Sequence, residues 1–319
     1  MPVTRQPIFL LSLPRSGSTL VQRVLASTND IATAPEPWFL LPQAYALRER
    51  GVEAEYVQVS SARAIHEFAN QLPNGIADYR SAVRDFALRL YDLHAGDGGG
   101  RYFLDKTPRY HLIIDDLFEI FPDARFVFLW RNPLAVAASI VETWAGGRWA
   151  AQRWHVDLFD GVANLTAGFR AHEDAALGVR IEDLVGDPLT AWPQVFAHLD
   201  LPFDPAVLSS FSELRLDGRM GDPTGVERYR ELSTEPLEKW KGTLRSPIRK
   251  RWARDYLRWI GEERLAVMGY DLGELLRELE SVPTRARGSV SDLARGTYWW
   301  ADRVGRERAA RLLWRRLPR

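Results

Sequence analysis

The fold of this chain is decided by one stretch near its start, which reads Ile8-Phe9-Leu10-Leu11-Ser12-Leu13-Pro14-Arg15-Ser16-Gly17-Ser18-Thr19-Leu20. Its first six residues are almost all apolar, as in a buried strand, and the apolar run breaks at Pro14. Apolar residues then recur at helical spacing, at Leu20, Val21, Val24 and Leu25. The stretch therefore predicts a strand, a short polar loop and a helix in direct succession.

The loop between this strand and this helix has the chemistry of a phosphate site. Backbone N–H groups converge at a helix N-terminus, where the macrodipole favours an anion. Gly17 allows close approach of the backbone, and Arg15, Ser18 and Thr19 add side-chain donors. The loop lacks the Gly-Lys-Ser/Thr ending of ATP-binding loops, which argues against an ordinary kinase. The alternative is a plain strand–helix turn with solvated polar residues.

The composition indicates a globular protein and excludes several classes. The 319 residues are 46% hydrophobic, and 42 basic residues balance 42 acidic ones, so nucleic-acid binding is not expected. The chain has no cysteine, which excludes disulfides and thiol chemistry. We expect no signal peptide, and no apolar run reaches the roughly 18 residues that a membrane span needs. A cytoplasmic location is the resulting expectation.

The rest of the pattern alternates strands with helices. Apolar runs bounded by turn residues predict further strands at 102–104, 125–130 and 179–181, and helical patterns cover 82–93 and 111–121. This alternation predicts an α/β fold of three layers, with a central parallel sheet between helices. A boundary is expected near Pro283, which gives one domain over residues 1–282 and a tail over 283–319.

A second group of residues follows the predicted strand 125–130. Asn132 suits a helix N-cap and Pro133 the first helical position, so Arg131 falls at the carboxyl end of the strand. Ser139 lies about 9 Å further along that helix. Arg131 and Ser139 could therefore hold a second phosphate, away from the one at Gly17. The equally weighted alternative is that Arg131 pairs with a carboxylate and Ser139 lies on the helix surface.

These two groups together resemble the sulfotransferases that use 3′-phosphoadenosine-5′-phosphosulfate (PAPS) and release adenosine 3′,5′-bisphosphate (PAP). The resemblance implies the P-loop-like sulfotransferase fold. Residues 13–20 resemble the family's 5′-phosphosulfate loop, and Arg131 with Ser139 resembles its 3′-phosphate motif. The spacing is nearest to the protein-tyrosine sulfotransferase and related bacterial branch. The donor-binding residues implied are Arg15, Ser16, Gly17, Ser18, Thr19, Arg131, Ser139, Thr224 and Lys239.

The same resemblance implies the catalytic residues. In this branch a catalytic Glu falls 21 residues after the loop Arg, which here is Glu36, and a catalytic Lys corresponds to Lys106. Glu36 would be the general base, while Lys106 and Arg15 would bind the transferring group without any metal. Glu36 could instead be a surface or helix-cap residue, and Lys106 could form a salt bridge with Asp105 or Glu36. The chain carries six His, of which His111 and His155 are alternative bases.

The acceptor and the tail are the least defined features. A hydroxyl of a carbohydrate, lipid or secondary metabolite is the expected acceptor, beside aromatic residues that could equally be core. The segment from Arg285 onward contains ten Arg and three acidic residues, Asp292, Asp302 and Glu307, so its net charge is +7. Several Trp and Leu lie between the Arg residues. Such a tail could lie on the inner membrane surface, dock on the acidic body or form a dimer contact. A Mg-ATP-dependent kinase and a non-catalytic nucleotide-binding protein are the rival functions.

Overall fold

In the computed structural model of the chain, the described residues are 5–96, 100–214, 232–285 and 292. The contacts divide the chain into two units. The sheet unit comprises Met1–Trp130 and Asn164–Ser233, and the helical unit comprises Arg131–Ala163 and Thr234–Arg319. None of the helices in the described ranges combines the length and the apolar character that crossing a bilayer requires.

A parallel sheet of five strands forms the centre of the sheet unit, in the order β2-β3-β1-β4-β5. The strands are β1 (Gln6–Ser12), β2 (Ile31–Thr33), β3 (Tyr102–Asp105), β4 (Arg125–Trp130) and β5 (Ala176–Arg180). Every neighbouring pair runs parallel. The central residues Ile8–Leu11 of β1 are at most 1% exposed, as expected for a strand covered on both faces. The predicted α/β fold with a central parallel sheet flanked by helices is confirmed.

The strand predictions differ from the structure mainly at their ends. The strand 125–130 is as predicted, while β1 begins and ends slightly before the predicted 8–13. The predicted strand 179–181 is wrong at its end, because Ile181 begins a helix rather than ending β5. The sequence analysis missed β2, because its three residues are too few to show a strand pattern.

The sheet unit also contains most of the helices. They are α1 (Ser18–Ala26), α2 (Leu40–Tyr45), α3 (Gln58–Ala69), α4 (Ile76–Ala95), α5 (Ile114–Ile120), the greater part of α7 (Gly161–Ala171), α8 (Ile181–Gly186), α9 (Pro188–His198) and α10 (Val207–Ser210). The predicted helix 82–93 lies within α4. The continuous helix predicted over 111–121 is wrong, because a 3-10 turn (Pro108–Leu112) precedes α5 and Ile113 is non-helical, with φ −135° and ψ 29°.

The helical unit is built around α6 (Pro133–Ala145) and the helices of the later chain. These are α11 (Glu235–Glu238), α12 (Trp240–Thr243), α13 (Pro247–Val267) and α14 (Leu272–Ser281). Asp292 from the predicted tail is buried and pairs with Arg249, whose Nε and Nη2 donate to its two oxygens at 2.8 and 3.0 Å. A buried bidentate pair of this kind fixes geometry strongly, so the chain at Asp292 is held to the helical unit. The predicted boundary at residue 282 stays a prediction.

Replacing Gly17 is expected to destabilise the fold for two separate reasons. Its φ is 90°, and a Cβ there would lie 2.9 Å from the Ile181 side chain. Gly146, with φ 57° and nothing within 4 Å of its Cβ position, shares only the first constraint. We expect Gly146→Ala to cost about 1 kcal/mol of unfolding free energy and Gly17→Ala about 2–3 kcal/mol. Urea unfolding of both variants measures the difference, and equal costs would exclude a role for Ile181.

Candidate active site

Three neighbouring strands end at the same edge of the sheet and deliver the predicted catalytic residues there. Lys106 follows β3 directly, the loop 13–17 follows β1, and Glu36 comes three residues after β2. Phe9 pairs with Asp105 and Thr33 with Leu104, so β2 and β3 end within one residue of each other, while β1 continues to Ser12. This carboxyl edge is where open α/β sheets bind their ligands.

The loop after β1 has the geometry of an anion site. Gly17 is the left-handed N-cap of α1, and the first N–H groups of a helix have no acceptor within the helix. Arg15 also has a left-handed backbone, with φ 67°. No acidic residue lies in the first turn of α1. The predicted strand–loop–helix unit is confirmed, and its helix begins at Ser18.

Glu36 and Lys106 form an ion pair at this edge. Lys106 Nζ donates to Glu36 Oε1 at 2.9 Å, and the two side chains are 2% and 13% exposed. The second oxygen, Oε2, accepts the indole N–H of Trp38 at 3.2 Å. An ammonium has three donors and each carboxylate oxygen has two lone pairs. The pair therefore keeps donors and acceptors for a third group.

The loop that carries Glu36 is tied to both neighbouring elements. The Gln22 amide of α1 donates to Thr33 Oγ1 and to the Ala34 carbonyl, each at 2.8 Å. Thr33 Oγ1 donates in turn to the Leu104 carbonyl of β3 at 2.7 Å. The short strand β2 is therefore held by side chains as well as by its backbone pairing.

Behind Lys106 lies a fully buried carboxylate that the sequence analysis considered only as a salt-bridge partner. Asp105 accepts the hydroxyl groups of Tyr91, Tyr110 and Thr107 at 2.7, 3.0 and 3.2 Å. Burial raises its pKa to about 6, against the opposing effect of these hydroxyl groups and of Lys106. The sequence offered one indication of this cluster, an acidic residue at the end of a predicted buried strand. The two tyrosines could not be assigned to it, because they come from α4 and from the 3-10 turn.

Neither alternative His shows a comparable arrangement. His111 is buried, its Nδ1 lies 3.4 Å from the Asn164 amide, and desolvation together with Arg109 lowers its pKa to about 4. His155, in the helical unit, lies 3.5 Å from Asp160 and is about one-third exposed.

The second predicted phosphate motif lies at the start of the helical unit. Asn132 caps α6 by accepting the Leu134 N–H at 2.9 Å, and Pro133 is the first residue of that helix, both as predicted. Arg131 is 8% exposed, and its Nη2 donates to the Pro236 carbonyl at 2.7 Å. Ser139 is half-buried on α6. Both residues remain predicted rather than demonstrated ligands.

The remaining predicted donor contacts are less defined. Lys239 is 60% exposed and pairs with Glu235 at 3.1 Å in the same unit. Thr224 lies outside the described residues. The contact of Thr224 with the donor therefore stays a prediction.

The fold and this site define an α/β protein with two features at one sheet edge. They are the loop 13–17 before α1, called the anion loop below for its predicted role, and the lysine–carboxylate pair. The model of the sulfotransferase family matches residues 7–205, which is more than half of the chain. The chain therefore belongs to the sulfotransferase family, and the resemblance drawn from its motifs is confirmed.

Individual relatives are similar over different parts of the chain. The nodulation protein NoeE of Sinorhizobium fredii is 35% identical over 177 residues, 56% of this chain and 40% of NoeE. A protein-tyrosine sulfotransferase of Drosophila melanogaster is 24% identical over 325 residues, 96% of this chain and 57% of that protein. The chain thus spans about half the length of these relatives. The sulfotransferase domain of the Synechococcus PCC 7002 olefin synthase matches at a TM-score of 0.49 and 26% identity, over 75% of this chain and 88% of that domain.

His111 is expected to make the protein acid-sensitive. Its folded pKa of about 4 lies below the ordinary 6.5, so between these values the unfolded chain takes up a proton that the folded chain does not. The free energy of unfolding should therefore fall by about 3 kcal/mol more in wild type than in His111→Gln between pH 7.5 and pH 4. Urea unfolding across this range measures the difference. His94→Gln, at an exposed position of α4, is the control and should keep the wild-type dependence.

Proposed function

We propose that this chain transfers the sulfuryl group of PAPS to an acceptor hydroxyl, with Glu36 as general base. The observation that carries the proposal is the Lys106–Glu36 ion pair at the carboxyl edge, one strand away from the anion loop that begins α1. Membership of the sulfotransferase family and the motif resemblance support the choice of donor. A Mg-ATP kinase is the alternative, which the measurement of stabilisation by PAP and Mg-ATP below distinguishes.

The reaction is an in-line displacement at sulfur. The acceptor oxygen forms a bond to sulfur, and the bond from sulfur to the 5′-phosphate oxygen breaks, which releases PAP. Glu36 takes the hydroxyl proton as the acceptor attacks. Lys106 gives one N–H to Glu36, which leaves its other donors for the sulfonate and the bridging oxygen, where charge develops. In this proposal fixed cations do the work that metal ions do in kinases.

The donor is assigned to residues by their motifs. Arg15 and the N–H groups of residues 16–19 hold the 5′-phosphosulfate, and Arg131 with Ser139 holds the 3′-phosphate. Thr224 and Lys239 are further donor contacts in the proposal, by resemblance alone.

The proposed acceptor class rests on the expectation from the sequence and not on motif residues. We propose a hydroxyl of a carbohydrate, lipid or secondary metabolite, and the protein-tyrosine sulfotransferases among the relatives make a tyrosine peptide a necessary comparison. A panel of these four acceptor types with radiolabelled PAPS identifies the class. Transfer to the tyrosine peptide alone would refute the proposed acceptor class while leaving the donor unaffected.

The donor assignment predicts selective stabilisation by PAP. A ligand that binds only the folded state raises its stability by mass action, so PAP should raise the melting temperature without Mg²⁺. 5′-AMP lacks the 3′-phosphate and should have a much smaller effect. Arg131→Ala should abolish the preference for PAP over 5′-AMP. Stabilisation by Mg-ATP alone would replace the sulfotransferase proposal with the kinase.

The base assignment predicts a loss of turnover with binding retained. Glu36→Gln keeps the size of the side chain and removes its basicity, so kcat should fall roughly 10²- to 10⁴-fold while PAP still stabilises the protein. Glu49→Gln, at an exposed ion pair with Arg63, is the matched control and should keep wild-type turnover. Wild-type kcat in Glu36→Gln would show that another group removes the proton.

The basic tail leads to a separate proposal about location. The excess of Arg among aromatic residues beyond Arg285 suits binding to an anionic membrane surface, beside a lipid-linked acceptor. Sedimentation with anionic liposomes, with and without residues 293–319, tests this and leaves the buried Asp292–Arg249 pair in place. Equal sedimentation of both forms would exclude the tail as a membrane anchor.

A further inference from the structure

Trp38, two residues after Glu36, has a backbone conformation that its own side chain disfavours. Its φ is 62°, in the left-handed region, which costs a bulky residue on the order of 1–3 kcal/mol. Among the described residues, Arg15 and Asp200 are the other non-glycine residues with positive φ. Such a conformation persists only where the surroundings hold it, so the contacts of Trp38 carry information about its role.

The backbone of Trp38 is held by the buried end of β3. Its N–H donates to Thr107 Oγ1 at 3.5 Å, and the Thr107 hydroxyl donates to Asp105 Oδ1 at 3.2 Å. Asp105 is itself fixed by Tyr91 and Tyr110 and is fully buried. The strained residue is therefore tied to the strand end that delivers Lys106.

The side chain of Trp38 completes the contacts of Glu36. Its indole N–H donates to Oε2 at 3.2 Å, while Lys106 donates to Oε1 at 2.9 Å. A carboxylate held at one oxygen can still rotate about its last bond, whereas one held at both oxygens by donors from different elements cannot. The two donors together fix the plane of the carboxylate.

We propose that Trp38 is a positioning residue for Glu36. Its indole N–H sets the plane in which the carboxylate accepts the proton, and the Asp105–Thr107 pair holds the strained backbone that aims the indole. The inference rests on the proposed role of Glu36 as general base. It adds a second residue of the loop that carries Glu36 to the residues proposed to act in the reaction.

Packing alone does not account for this arrangement. The bond joins two residues of one loop, so it contributes little to holding distant parts of the chain together. Trp38 is also only half-buried, whereas Trp149 and Trp192, the large core indoles, are at most 1% exposed. A half-buried residue kept only for apolar area has no need of a left-handed backbone.

The test is Trp38→Phe, which keeps an aromatic ring and removes the N–H. PAP release from PAPS is measured with water as the acceptor, because water, like an alcohol, must lose a proton as it attacks. We expect kcat to fall roughly 10- to 100-fold, because a misaligned base loses much of its effect. The KM for PAPS and the stabilisation by PAP should stay unchanged. The acidic limb of the pH–rate profile should move to higher pH, since a donor to the charged carboxylate is gone.

Thr107→Val provides an independent route to the same result. It leaves the indole in place but removes the hydroxyl that accepts the Trp38 backbone N–H, so kcat should fall while the KM for PAPS stays unchanged. Thr107→Ser keeps a hydroxyl at this position and should retain the wild-type kcat. If Trp38→Phe does not fold, the inference is tested with Thr107→Val alone. An unchanged kcat and pH profile in Thr107→Val would then overturn the inference.

Glu36→Gln separates this inference from the function on which it rests. If Glu36→Gln is inactive and Trp38→Phe matches wild type in kcat and pH profile, only the positioning role is overturned. If Glu36→Gln itself keeps the wild-type kcat, the base assignment is wrong and the inference falls with it.

Discussion

The ion pair between Lys106 and Glu36 is the constraint on which the rest of the site depends. It joins the ends of two adjacent strands, and each partner is nearly enclosed by protein. Removing either partner would leave a poorly solvated charge, which is costly. The supporting contacts are therefore arranged around both partners, with the Asp105 cluster behind the lysine and the Trp38 indole on the carboxylate.

Much of the fold was readable from the sequence because its signals are local. An apolar run followed by a glycine-containing polar loop predicts a strand and a helix start, and this held for β1 and α1. Asn132 and Pro133 mark the beginning of α6 by capping chemistry alone. The β2 strand could not be read, because it depends on pairing with β3, distant in sequence. The break at Ile113 within 111–121 was also missed, although Asp115 and Asp116 are the acidic residues typical of a first helical turn and mark the start of α5.

The candidate site was predictable in its members and in one of its connections. Glu36 and Lys106 were identified through the resemblance to the sulfotransferase family, and their salt bridge, named from the sequence as an alternative, is present at 2.9 Å. The contact of Trp38 with the same carboxylate could not be predicted, because it depends on a left-handed backbone that no tryptophan signals. The three hydroxyl groups around Asp105 come from separate elements, so their convergence is a property of the fold alone.

The position of Glu36 beyond β2 has an evolutionary consequence. The strand is three residues long and ends the described sheet, with β3 as its neighbour. Between α2 and α3, residues 46–57 form a loop that is mostly exposed. Substitutions and insertions are tolerated best in such segments, whereas the loop after β1 emerges from the central strand of the sheet. The architecture therefore lets descendants of this chain diverge in what surrounds the carboxylate while inheriting an unchanged anion loop.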